Sequence, residues 1–157
     1  YGAGKGKTSV SLGRGIRALG DDLRVVMIQF MDYHNHKEIA FLEKLEPDFR
    51  IFHFEKYREQ TNMTEEVRKE ISSEIRNAFN FAKKILDTGE CDMLMLDGIL
   101  ECIEEGYLTE AEVLEMLDKR SDSMDMILTG NHLTDGIAQK ADCIYQIVPE
   151  KAGNVCS

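Results

Sequence analysis

The chain opens on Tyr1-Gly-Ala-Gly-Lys-Gly-Lys-Thr8 and passes directly into Ser9 to Leu19, where Val10, Leu12, Ile16 and Leu19 recur at roughly helical spacing and are expected to form a buried side. A glycine-spaced loop feeding a helix limits the possible folds more than any other feature of the sequence. Glycines let backbone N–H groups curl around an anion, and the helix that follows presents the positive end of its dipole to the same point. A nucleoside triphosphate is the ligand that suits this arrangement. Gly2, Ala3, Gly4, Lys5, Gly6, Lys7, Thr8 and Ser9 are the candidate phosphate contacts. Lys7 is a mobile cation, and Thr8 is placed to offer its hydroxyl to a Mg²⁺ ion bridging the phosphates. The usual pattern G-x-x-x-x-G-K-[ST] asks for a glycine where this chain has Tyr1, so the loop is a variant. Loops of this kind follow a buried strand, and we expect further apolar residues upstream of Tyr1 to supply it.

Beyond the loop, apolar runs alternate with helix-like stretches. Residues 24–30, 50–54, 92–97, 125–130 and 142–148 read as buried strands, and 36–45, 64–87 and 109–119 as helices. The last two helices open on Thr64-Glu-Glu and on Thr109-Glu-Ala-Glu112, the second a capping-box pattern. Near-continuous apolar strands alternating with helices predict an α/β fold, a mainly parallel sheet with helices on both faces and ligands at the carboxyl ends of the strands. With no repeat, linker or low-complexity segment, residues 1–157 are expected to form a single nucleotide-binding domain.

Charge narrows the partners. With 29 acidic against 19 basic residues the net charge is −10, which argues against a general nucleic-acid or anionic-membrane surface. Cys91, Cys102, Cys143 and Cys156 are widely spaced, as expected of free core thiols in a reducing compartment. The lack of an apolar run of membrane-spanning length predicts a soluble, cytoplasmic protein.

A second chemical feature is Met93-Leu-Met-Leu-Asp97, an apolar run ending in a carboxylate. It resembles a Walker B strand, which makes Asp97 the candidate to hold Mg²⁺ with Thr8, directly or through water. Other candidates have plainer readings. His34-Asn-His36 lies in a polar stretch and reads as a solvated loop, His53 as a strand residue, Met27, Met93, Met95, Met116, Met124 and Met126 as core filler, and the acidic stretch from Glu101 to Glu115 as a solvated helix face.

Over nearly its whole length the chain resembles the ATP:corrinoid adenosyltransferases of the BtuR/CobO type, especially short clostridial-like members. The likeness rests on Tyr1 to Ser9, Leu12-Gly-Arg-Gly-Ile-Arg-Ala-Leu-Gly20, Val25-Val-Met-Ile-Gln-Phe30, Phe79-Asn-Phe-Ala-Lys-Lys84, Gly89 to Asp97 and Ile127-Leu-Thr-Gly130. In that family, too, the loop lacks the first glycine. The resemblance implies a P-loop NTPase (RecA-like) fold and transfer of the 5′-deoxyadenosyl group of ATP to the cobalt(I) of a reduced corrinoid, with triphosphate leaving. It implies that Lys7 and Thr8 are catalytic, that Lys5 lies near the phosphates, that Arg17 assists nucleotide binding and that Gln29 and Phe30 face the corrinoid. A flavoprotein reductant and a homodimer belong to the same expectation. Two residues depart from the family pattern. Gly98 follows Asp97 where a glutamate is usual, and Asn131 stands where an arginine is usual. If the chain turns helical after Gly98, Glu101 lies one turn on, where it either reaches back to the site or points to solvent. A catalytically impaired ATP- or corrinoid-binding protein of the same fold, and a P-loop kinase or ATPase, are the alternatives.

Overall fold

The computed structural model describes residues 1–31, 41–54 and 63–151. Four apolar runs become strands, β1 (Val25–Gln29), β2 (Phe49–His53), β3 (Met93–Asp97) and β4 (Asp125–Leu128). They pair in parallel in the order β2-β1-β3-β4. Both faces of the sheet are covered, which explains why β1 and β3 are apolar and buried at nearly every position instead of alternating. Val26, Ile28, Leu94 and Leu96 face one layer, while Val25, Met27, Met93 and Met95 face the other.

Helix α1 (Lys7–Gly20) covers the second of these faces. Its buried residues are Ser11, Leu12, Gly15 and Ala18. The expected buried side holds at Leu12, but Val10 and Ile16 are 54% and 51% exposed. The helix instead turns Gly15 to the sheet, where an added Cβ would come within 2.6 Å of the Phe49 ring.

The opposite layer holds α2 (Glu65–Thr88), α3 (Ile99–Glu104), α4 (Glu110–Asp118) and α5 (Asp135–Lys140). Thr64 caps α2 by accepting from the Val67 amide, and Ile71, Ile75, Ala78, Phe79, Ala82 and Ile85 form its buried stripe at helical spacing. Burial on this scale makes truncations such as Ile75→Ala cost about 2–5 kcal/mol. Met27, Met93, Met95, Met116 and Met124 are core residues, as expected. Cys91 and Cys102 are buried, the Cys102 thiol donating to Gly98 O at 3.5 Å, whereas Cys143 is exposed.

The expected helix at 36–45 is described only from Phe41 onward, where a short helical turn ends in the 3-10 segment Glu43–Leu45. His34, His36 and Cys156 lie outside the described residues. A larger correction concerns 142–148, which does not join the sheet. Its backbone instead serves the loop: the Ile147 amide donates to Tyr1 O at 2.7 Å, and the Gly4 amide to Ile147 O at 2.9 Å. A groove of about 610 Å³, lined in part by Val10, Met126, Leu128, Ile144 and Ile147, separates this segment from β4. An apolar run alone does not supply a neighbouring strand within hydrogen-bonding distance. Among the described residues, no helix is long and apolar enough to cross a membrane.

Candidate nucleotide site

Parallel pairing brings the carboxyl ends of the strands together, with Gln29 opposite both His53 and Asp97 in register. The loop crosses this end of the sheet. Gly6 caps α1 in the left-handed region at φ 104°, no side chain bonds the first amides of the helix, and its first turn holds no acidic residue. Helix-start amides with no capping side chain and no acidic residue in their own turn are suited to an anion. Gly2 and Gly4 are also required by packing, because a Cβ at either would come within 2.8 Å of Ile147 O.

Lys7 curls back over its own loop. Its Nζ donates to Gly2 O at 2.9 Å, to Gly4 O at 3.2 Å and to Asn131 Oδ1 at 3.0 Å. Asn131, which stands where a cation was expected, is therefore an acceptor for the loop lysine. Thr8 Oγ1 donates to the Asp97 carboxylate at 3.0 and 3.1 Å, so the two proposed metal-binding residues are direct neighbours.

Asp97 is 7% exposed and held from other sides as well. Thr129 Oγ1 donates to its Oδ1 at 2.7 Å and accepts from the Gly98 amide at 2.9 Å. Gln29 Nε2 approaches Asp97 Oδ2 at 3.4 Å. Thr129 fixes both the carboxylate and the turn after β3, a role that the Leu-Thr-Gly run at the end of β4 hinted at but did not specify. Among the described residues no three His, Cys, Asp or Glu side chains gather to hold a metal on their own. Thr8 and Asp97 offer hard oxygen donors of the kind Mg²⁺ takes when it keeps waters and substrate phosphates in its shell.

Two expected site residues are placed elsewhere. Arg17 is exposed in the last turn of α1, ten residues and about 15 Å along the axis from Lys7, so it does not meet the loop. Phe30 is 1% exposed and packs in the core layer beneath α2, which excludes it from a ligand-facing surface. Gln29, at 2% exposure, lies behind Asp97. Lys5 and Ser9 are exposed on the loop and the first turn.

Glu101 departs from the solvated face read for its stretch. It is half-buried, and its Oε2 is fully buried with no hydrogen-bond partner. Burial pushes its carboxyl above the ordinary value, opposed by its own backbone amide and by Lys7 and reinforced by Asp97 and Glu104. At Gly98, φ is 80° and a Cβ would sit 3.2 Å from the Met31 amide nitrogen, two reasons why glycine occupies the position after Asp97.

Comparison with known proteins identifies the family. The model of the family ATP:corrinoid adenosyltransferase BtuR/CobO/CobP matches residues 1–153. The corrinoid adenosyltransferase of Escherichia coli (strain K12) is 28% identical over 153 residues, 96% of this chain and 74% of that protein. Corrinoid adenosyltransferase CobA of Salmonella typhimurium is 27% identical over the same shares, and the Pseudomonas aeruginosa corrinoid adenosyltransferase is 25% identical over 93% of this chain and 71% of its own length. With a family match running across almost all of its residues, the chain belongs to the ATP:corrinoid adenosyltransferase BtuR/CobO/CobP family.

Proposed function

We propose that the chain is an ATP:corrinoid adenosyltransferase that binds the triphosphate of ATP in the Gly2 to Ser9 loop. The observation that carries this reading is the Thr8–Asp97 contact beside Lys7 at the carboxyl ends of parallel strands, in a chain of this family. Cobalt(I) of the reduced corrinoid is the nucleophile. It forms a bond to the ribose C5′, the C5′–O5′ bond breaks, and the electron pair leaves with O5′ on triphosphate. No protein side chain attacks. The loop amides and Lys7 hold the leaving group and meet the charge growing on it, and fixing C5′ in line with cobalt lowers the barrier by orientation. To reach a phosphate, Lys7 exchanges its contacts with Gly2 O, Gly4 O and Asn131 Oδ1 for phosphate oxygens. Mg²⁺, held by Thr8 and Asp97, would neutralise part of the triphosphate charge.

Arg17 stays outside the proposed phosphate contacts, and Gln29 acts by supporting Asp97 and does not touch the corrinoid. We also propose a single domain, a flavoprotein as reductant, a homodimer and a cytoplasmic setting. The impaired-binder reading has no support beyond Gly98 and Asn131, and the geometry gives both of these structural roles.

The test is an anaerobic reaction with ATP, Mg²⁺ and chemically reduced cobalamin, following the light-sensitive cobalt–carbon absorbance together with released triphosphate. Both products are expected in equal amounts, and Lys7→Ala should slow their formation roughly 100-fold or more. Release of orthophosphate without adenosylcobalamin would instead assign the site to a kinase or ATPase.

A further inference from the structure

We infer that Glu101 is the second carboxylate of the nucleotide site and acts on the water shell of a divalent cation bound with the triphosphate. The inference rests on the phosphate-site reading above and extends it to a residue that neither motif contains. Glu101 Oε2 is buried and unpartnered, and a buried carboxylate oxygen left without a donor costs free energy unless some ligand supplies one. Its surroundings locate that ligand. The carboxylate packs against Gly130, where an added Cβ would lie 2.6 Å from Oε2, and Gly130 immediately precedes the Asn131 that receives Lys7. Gly130 O in turn accepts from the Gly2 amide at 3.0 Å, so the same turn carries the start of the loop.

Local geometry also explains why Glu101 Oε2 finds no partner at the cap of its own helix. It occupies the third position of α3, from which a glutamate commonly reaches back to the amide of the capping residue. Here that amide, of Gly98, donates to Thr129 Oγ1. The carboxylate is left on the loop side, near Lys7 and Asp97 but bonded to neither. Mg²⁺ sheds its waters reluctantly, so a site with one serine or threonine hydroxyl and one aspartate leaves several bound waters whose protons need acceptors. An unpartnered carboxylate beside Asp97 is such an acceptor. Position 98 is poorly placed to supply it, since an added Cβ there comes within 3.2 Å of the Met31 backbone at a φ of 80°, which L-residues rarely adopt.

Calorimetric titration of wild type and Glu101→Gln with ATP, and separately with inorganic tripolyphosphate, tests this with and without Mn²⁺, alongside the paramagnetic resonance of bound Mn²⁺. Glu101→Gln keeps the shape and removes the charge, Glu101→Asp keeps the charge on a shorter stem, and Glu104→Gln is the neighbouring control. We expect Glu101→Gln to match wild type without metal and to lose about 10- to 100-fold in affinity with Mn²⁺ for both phosphates, with Glu101→Asp between them and Glu104→Gln unchanged. Equal affinities with Mn²⁺ would overturn the inference. So would a loss confined to ATP and present without metal, because that would place Glu101 on the ribose. If wild type itself binds neither phosphate more tightly with Mn²⁺, the phosphate-site reading fails first and this inference with it.

Discussion

Glu101 and Glu112 occupy the same position, the third residue of a short helix in the same layer, and their surroundings have opposite effects on them. Glu112 closes a capping box: Thr109 N and Oγ1 donate to its Oε2, each at 2.9 Å, and its own amide donates to Thr109 Oγ1 at 3.2 Å. Arg76 bonds its other oxygen. Glu101 follows a glycine cap with no side chain, and the one amide it would have used is taken by Thr129. The satisfied carboxylate ties α4 to α2 across the layer, and the unsatisfied one faces the loop. A local rule that stabilises one helix is broken in the next, at the place where a ligand is expected, which is where natural sequences tend to depart from such rules.

The sharpest way to break the contrast is to put the second carboxylate at position 98. Gly98→Glu places an L-residue at φ 80° against the Met31 backbone. A cost of about 1–3 kcal/mol is expected, a fall of several degrees in Tm for a domain of this size, with no gain in adenosylation. Thermal melting together with the cobalt–carbon assay measures both. A rise in activity at unchanged Tm would show that the turn has more freedom than its hydrogen bond to Thr129 implies.

A smaller effect is expected from the other helix. Thr109→Ala removes the N-cap of α4 and half of the box, and should cost about 1 kcal/mol, or roughly 2–4 °C, while leaving adenosylation unchanged. Melting curves and turnover of the same preparation check this. Loss of activity in step with stability would mean that α4 and the loop are coupled more closely than their separation in the layer suggests.

How far the sequence foretold these two helices depends on the range of the interactions. The capping box at Thr109 to Glu112 was legible because all its partners lie within four residues. The parallel sheet was legible because continuous apolar runs are buried on both faces. Thr8 and Asp97 were legible because each ends a local pattern, loop into helix and strand into turn. The direction of Glu101 was not, since it follows from the left-handed turn at Gly98 and from Thr129, 31 residues away. Phe30 was misplaced because one residue beyond β1 reverses the side of the sheet, and packing carries it into the core. The segment 142–148 has the apolar content of a strand, but an apolar run specifies burial and not a partner.

The contrast also has a pH signature, the smallest of these effects and the most direct. The Thr109 amide, then Arg76 and the Thr109 hydroxyl, hold the Glu112 carboxyl down at about 2 against an ordinary 4.5. A depressed carboxylate contributes stability that is complete above the unfolded value and is lost as pH falls through the folded one. The Tm advantage of wild type over Glu112→Gln should therefore shrink between pH 4.5 and about 2. Glu101 is shifted the other way, chiefly by burial, so its folded form favours the proton. Its contribution is present below the unfolded value and is lost as pH rises through the folded one. Glu101→Gln, which cannot ionise, should therefore gain on wild type as pH rises above the ordinary carboxylate range. Two glutamates at one helix position would then give stability differences of opposite slope. Parallel slopes would mean that Glu101 finds a donor in solution, and that the two helix starts differ less than their caps imply.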